Sequence, residues 1–283
     1  MYLLIDIGGT KTRVAISRDG TKLDAISRCP TEQDLAKELE AITTLAGKLT
    51  GDQPLDGAAV ALPGVLNQAR DTLLHSPNLS QWENKPLRSQ LETAVGVPVS
   101  LANDAAAAGL GEASFGAGQK YNIVAYLTIS TGIGGARIVN RRIDPSHAGF
   151  EPGHSIIDID GTHALGCPAP TTLEDTLGGN SILKRYQKKS EEIKDPAFWE
   201  SFTNHLAIGL NNVIAFWSPD IIVLGGSQMN DVDLAALRQM LATTSRFSPD
   251  LPALRRATLG DEAGLWGALA LLENKTSQHE ENR

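Results

Sequence analysis

Three apolar runs in this chain each end in a glycine turn, and that repetition restricts the folds open to it. The first run, Tyr2–Ile7, passes through Asp6 into Gly8-Gly9-Thr10-Lys11 and returns along Thr12–Ile16. The second, Asn122–Ile129, meets Ser130-Thr131-Gly132-Ile133-Gly134-Gly135 and returns along Ala136–Val139. The third, Ile221–Leu224, stops at Gly225-Gly226. Short apolar runs bounded by glycine read as strands and hairpins. Each half of the chain therefore opens on a strand, a Gly/Thr turn and a strand, which is an internal repeat of structure rather than of sequence.

Helical patterns fall between these strands. Leu23–Arg28 reads as a third strand, and Thr31 with Asp34 as a capping-box-like helix start. Leu35, Leu39, Ile42, Leu45, Ala46 and Leu49 then share one helical face. Gly57–Leu62 and Val97–Ala102 read as buried strands, the first stopped by Pro63-Gly64 and the second running into Asn103-Asp104 and a helix from Ala105. Phe198, Phe202, Leu206, Leu210, Val213 and Trp217 mark a long helix, and Ala263–Glu273 reads as the last one. Strands alternating with helices predict an α/β layer architecture. No long linker divides the chain. The expected organisation is a small domain over 1–108 completed by the helix at 263–273, a larger domain over 109–262, and a disordered polar tail at 274–283.

Charge and composition exclude several partners. At 283 residues with a formal net charge of −8, the chain lacks the basic balance expected of a nucleic-acid binder. No stretch approaches the apolar length that spans a bilayer. The start carries neither a basic n-region nor a small-residue cleavage site. Cys29 and Cys167 make no disulfide framework and read as free thiols, which fits the reducing cytoplasm.

Three groups of residues point to chemistry. Turn amides facing one way form an anion-binding concavity, and the glycines let a ligand approach the main chain and allow positive φ. Thr10 adds a hydroxyl. Asp6 repels phosphate directly, but it suits a hydrated Mg²⁺ carried on the phosphate. By itself the pattern also describes a plain hairpin. Neither a P-loop nor a dinucleotide fingerprint is present, so nucleotide binding would rest on hairpin amides. Asn103-Asp104 lies where a strand hands over to a helix, the place where open α/β sheets bind ligands. Asp104 there reads either as an N-cap or as a base for a sugar hydroxyl attacking a phosphoryl group. Glu151 and His154, with Glu174 further on, suit the vicinal hydroxyls of a polyol, and equally a solvated loop.

Taken together, these motifs resemble the ROK family of sugar kinases, within the actin-like ATPase superfamily, from Met1 to about Leu272. Asp6-Ile7-Gly8-Gly9-Thr10-Lys11 is similar to the family's first phosphate loop, Ser130–Gly135 with Thr131 and Gly132 to the second, and Gly225-Gly226 to the adenosine loop. Gly64, Asn78, Asn103, Asp104, Glu151, His154 and Glu174 fall where that family holds its sugar. The resemblance implies two RNase-H-like domains with a cleft between them, and an ATP and Mg²⁺ site in which Asp6 holds the metal through water. It further implies that Asp104 acts on a sugar 6-hydroxyl, and that the chain forms a homodimer or higher homo-oligomer. Glucose is the leading acceptor, with N-acetylmannosamine, N-acetylglucosamine and fructose as alternatives. A non-catalytic, sugar-binding or regulatory ROK protein is the alternative of another class. One departure is plain. Aligned on Glu174, the positions of the family's zinc-binding cysteines carry Leu165, Cys167 and Thr172, so no structural zinc is expected. Phe150 stands where the family usually has glycine.

Overall fold

The computed structural model of the chain describes residues 1–51, 53–160, 169–246 and 250–281. Its contacts divide it into two compact units, Met1–Gln119 with Arg141–Gly149 and Leu259–Arg283, and Lys120–Asn140 with Phe150–Thr258.

In the first unit the opening hairpin forms as β1 (Tyr2–Ile7) and β2 (Lys11–Ser17), paired antiparallel with Asp6 opposite Arg13. β3 (Ala25–Pro30) extends it antiparallel, two residues beyond the stretch expected. α1 (Leu35–Thr50) follows, capped by the Asp34 side chain, which accepts from the Lys37 N–H. Thr31 is therefore not part of a capping box, and its hydroxyl serves another partner. β4 (Gly57–Leu62), α2 (Leu87–Val95) and β5 (Val99–Asn103) complete the sheet, with β4 parallel to β1 and β5 parallel to β4. The order is β3-β2-β1-β4-β5. One face carries Leu3, Ile5, Val14, Ile16, Val60 and Leu62 against α1 and Trp82. The other carries Leu4, Ala15 and Ala59 against the last helix. Alternate residues of each strand thus serve two covered faces, as parallel sheets require.

α3 (Asp104–Phe115) is one continuous helix, so a boundary at 108/109 would fall inside it. It packs on α8 (Ala263–Glu281) through small residues. A Cβ on Gly267 would lie 1.8 Å from the Ala107 carbonyl oxygen, and one on Gly111 2.6 Å from that of Ala263. Glycine is required at both positions because backbone meets backbone. The polar stretch after residue 273, expected as a disordered tail, continues α8 to Glu281. Glu112 on α3 is wholly buried, and its carboxylate accepts from the Ala117 and Leu259 N–H groups, both at 2.8 Å.

The second unit repeats the plan. β6 (Ile123–Ile129) and β7 (Ile133–Val139) form the antiparallel hairpin. α4 (Leu173–Leu177), α5 (Gly179–Tyr186) and α6 (Pro196–Trp217) precede β8 (Ile221–Gly225), and α7 (Leu234–Thr244) precedes β9 (Ala253–Arg256). β8 runs parallel to β6, and β9 parallel to β8, so the order is β7-β6-β8-β9. Phe202, Leu206 and Leu210 of α6 pack on Leu127, Ile129, Ile222 and Leu224. The return strand starts at Ile133, three residues before the run that marks it in the sequence, because Gly134 and Gly135 pair directly with Thr128 and Leu127.

Candidate functional site

In the first unit β1, β4 and β5 run parallel, and their carboxyl ends share one edge of the sheet. Asp6 sits opposite Ala61, and Leu62 opposite Asn103, so Asp6, Gly64 and Asn103-Asp104 converge there. Asn103, not Asp104, is the N-cap of α3: its Oδ1 accepts from the Ala106 N–H at 3.1 Å. Its Nδ2 donates to the Gly64 carbonyl at 3.1 Å, which ties the two predicted residues together. Gly64 has φ +115°, a conformation that favours glycine. Relieved of the capping role, Asp104 is the first helical residue, and its Oδ1 accepts from the Ala105 N–H at 2.8 Å. Part of its surface stays accessible, yet surrounding atoms enclose the carboxyl, and that burial raises its pKa against the pull of the backbone amides.

Asp6 is buried, and burial pushes its pKa up to about 6, opposed by Arg13 and reinforced by the charge of Asp104. Arg13 Nη1 donates to Asp6 Oδ2 at 3.2 Å. A Cβ on Gly264 would lie 2.6 Å from Asp6 Oδ1, so the start of α8 closes over the carboxylate. Two buried carboxylates that raise each other's energy suit a hard cation with oxygen ligands. Asp6 thus fits a Mg²⁺ held through water. Among the described residues no three His, Cys, Asp or Glu side chains group as a direct metal cage.

Asp6 carries a stability consequence with a defined sign. Between the ordinary carboxylate range and about pH 6 the folded protein holds a proton that the unfolded chain has released. The contribution of Asp6 to stability therefore falls as pH rises through that window. Above it, the ionised group costs roughly 3 kcal/mol at 1.36 kcal/mol per pKa unit. Asp6→Asn is expected to raise the melting temperature of the ligand-free protein at pH 8, with the gain shrinking as pH falls through about 6 towards the ordinary carboxylate range. Thermal melts across that range, without nucleotide or divalent metal, check it.

The turn after β1 is tight: the Gly8 N–H donates to the Lys11 carbonyl at 2.9 Å. Neither Gly8 nor Gly9 has positive φ, contrary to expectation. Close approach is their reason instead, since a Cβ on Gly9 would lie 3.0 Å from Asn78 Cγ. Asn78 is thereby packed on the first turn. Thr10 and Lys11 stand exposed on it.

In the second unit the second and third turns meet at the carboxyl ends of β6 and β8. Gly225 pairs with Thr128, and Gly226, at φ +92°, lies so close that a Cβ would be 2.2 Å from the Ile129 carbonyl oxygen. The Ser130 carbonyl accepts from the Gly179 N–H and from Gln228 Nε2, both at 2.8 Å, and the Asn180 N–H donates to the Thr131 carbonyl at 2.9 Å. Gln228 is buried and went unnoticed in the sequence, where nothing but its place after Gly225-Gly226 marks it. Glu174, expected at the sugar, also reaches this turn: its Oε2 accepts from the Ile133 N–H at 2.6 Å and abuts Gly132. Glu151 precedes a single 3-10 turn, Pro152–His154, and His154 is its last residue, with both side chains exposed. The Phe150 ring packs edge-on against Trp217 at 5.1 Å. Thr172 caps α4 in a capping box with Asp175. Leu165 and Cys167 lie outside the described residues.

Residues 2–275 match the sequence model of the ROK family. The chain belongs to the ROK family. It is 28% identical to an N-acetyl-D-glucosamine kinase of Pasteurella multocida, over 95% of this chain and 98% of that one. The ROK hexokinase structure from Thermus thermophilus superposes with a TM-score of 0.84 at 30% identity, covering 97% of this chain and 99% of that one. A ROK family glucokinase from Streptomyces griseus, solved with glucose and AMPPNP, shares the fold at a TM-score of 0.77 and 24% identity, covering 95% and 98%. These relatives are sugar kinases of the actin-like ATPase fold. The expected fold class, α/β of the actin-like ATPase type, is the one found, with two sheets and their helices. Among the described residues, no helix is long and apolar enough to cross a membrane.

Proposed function

We propose that this ROK protein is an ATP-dependent hexose kinase that phosphorylates the 6-hydroxyl of its sugar. The observation that carries this reading is Asp104: an enclosed carboxylate at a helix start, freed from capping by Asn103 and placed beside Asp6. A base works best with its pKa raised towards the operating pH, and burial supplies that shift. Asp104 accepts the hydroxyl proton while Asn103 and Gly64 orient the sugar from the same edge. Asn78, Glu151, His154 and Glu174 bind its other hydroxyls. The amides of Gly8–Lys11, of Thr131-Gly132 and of Gly225-Gly226 receive the nucleotide, and Asp6 holds the hydrated metal. Magnesium-bound ATP supplies the electrophilic phosphoryl group and neutralises the charge that develops on it.

Glucose is the proposed acceptor, with N-acetylglucosamine, N-acetylmannosamine and fructose as competing acceptors. The test is ADP release with ATP and Mg²⁺ across glucose, N-acetylglucosamine, N-acetylmannosamine, mannose, fructose and allose. A clear preference for one sugar is expected. Sugar-dependent shifts in melting temperature without any ADP release would overturn the reading in favour of a non-catalytic sugar binder.

A further inference from the structure

The connection between β3 and α1 touches both loops of the first unit's site. The Thr31 hydroxyl donates to the Gly8 carbonyl at 2.8 Å, and the Thr31 N–H to the Thr10 carbonyl at 3.1 Å. These two bonds grip the turn that carries Gly8–Lys11 on both arms. Two residues on, Gln33 Nε2 donates to the Asn78 carbonyl at 3.1 Å, and Trp82 Nε1 to the Gln33 carbonyl at 2.9 Å.

Behind Thr31 stands an unusual support. Thr12 is wholly buried, with its hydroxyl 3.0 Å from that of Thr31, and it donates to Glu38 Oε1 at 2.5 Å. Glu38, on the buried face of α1, is also wholly enclosed, and its Oε2 accepts from the Glu32 N–H at 2.7 Å. Each hydroxyl has one hydrogen to give. Thr12 gives its hydrogen to Glu38, which leaves that of Thr31 for Gly8. With both hydrogens committed, the contact between the two hydroxyls carries no hydrogen bond of its own, and what ties Glu38 to this connection is the Glu32 N–H, next to Thr31. An acid in the core is costly unless it is fully bonded, and here its bonds come from Thr12, which touches Thr31, and from the backbone of Glu32, which follows it.

We propose that Thr31, packed against Thr12 and held through the neighbouring Glu32 N–H by Glu38, is a positioning residue for the first phosphate turn. It sets nucleotide affinity without touching the nucleotide. A turn that binds through its amides gains affinity from being held in the bound shape beforehand. The inference rests on the kinase reading above.

Titration calorimetry with MgADP, and separately with glucose and N-acetylglucosamine, tests it on the parent chain, Thr31→Val, Thr31→Ser and Glu38→Gln. Thr31→Val is expected to weaken MgADP about tenfold, the loss of one hydrogen bond, with sugar affinity essentially that of the parent. Thr31→Ser, which keeps the hydroxyl, should restore parental affinity. Glu38→Gln preserves the shape of the acid and probes the support behind Thr31, should Thr31→Val not fold. It is expected to weaken MgADP about threefold, with sugar binding unchanged. Parental MgADP affinity in a folded Thr31→Val or Glu38→Gln variant would overturn the proposal, as would equal losses for sugar and nucleotide. A parent chain that binds no MgADP refutes the kinase reading itself, and the positioning role with it.

Discussion

Asp104→Asn is expected to lower kcat about a thousandfold while leaving sugar binding nearly intact. The amide keeps the size of the carboxyl and an oxygen for the Ala105 N–H, so the start of α3 is undisturbed. It loses only the capacity to take a proton, a contribution that general-base catalysis puts at about 10² to 10⁴. The pH profile supplies a second readout. Asp104 must be ionised to act, and its pKa is raised, so activity falls as pH drops through that raised value. Asp6 titrates nearby, so the acid limb belongs to the pair of carboxylates rather than to either alone. In Asp104→Asn the share of that limb due to the base disappears from the residual activity. Coupled ADP-release kinetics with a sugar-binding titration measure both, and turnover within tenfold of the parent would contradict the assigned role.

Gly267→Ala is expected to be the most damaging small change outside the site. Alanine gains up to about 1 kcal/mol over glycine within a helix. Here that gain loses, because the new methyl would lie 1.8 Å from the Ala107 carbonyl oxygen, on backbone that cannot rotate away. Overpacking of this kind costs about 3 kcal/mol, or more where two helices must separate. At roughly 2–4 °C per kcal/mol for chains near this size, the melting temperature should fall by about 6 °C or more. Gly47→Ala in α1 is the matched control: nothing lies within 4 Å of its would-be Cβ, so it should stabilise slightly. Parallel melts of the two variants check the contrast.

The sheets were legible because their signals are local. A run such as Tyr2–Ile7 ending in a glycine pair has few alternatives, and the same pattern at Ile123 and Ile221 finds the second sheet. Asn103-Asp104 was legible as a strand-to-helix handover, but which of the two caps the helix was not. That depends on Asn103 reaching Gly64, thirty-nine residues earlier in the chain. Glu38, Glu112 and Gln228 escaped for a common reason. Periodicity places polar residues outside, and these three lie inside because groups outside their own elements bond them: the Thr12 hydroxyl for Glu38, the Leu259 N–H for Glu112 and the Leu177 carbonyl for Gln228. The end of α8 was missed because a polar composition says little about backbone conformation once the preceding turns are already helical.

The position of α8 in the chain has a consequence for synthesis. Residues 120–258, which hold all of the second unit, emerge from a ribosome before α8 exists. Until then Leu4, Ala15 and Ala59 have no Leu265, Ala268 or Leu269 to cover them. The nascent first sheet waits with one greasy face bare, the kind of surface on which chaperones act. Asp6 likewise lacks the backbone of Gly264 that encloses it. A ribosome-bound fragment ending before residue 259 would thus carry every glycine turn and still lack the enclosure of the Asp6 carboxylate. α8, made after both sheets, is the element that completes the core of the first unit.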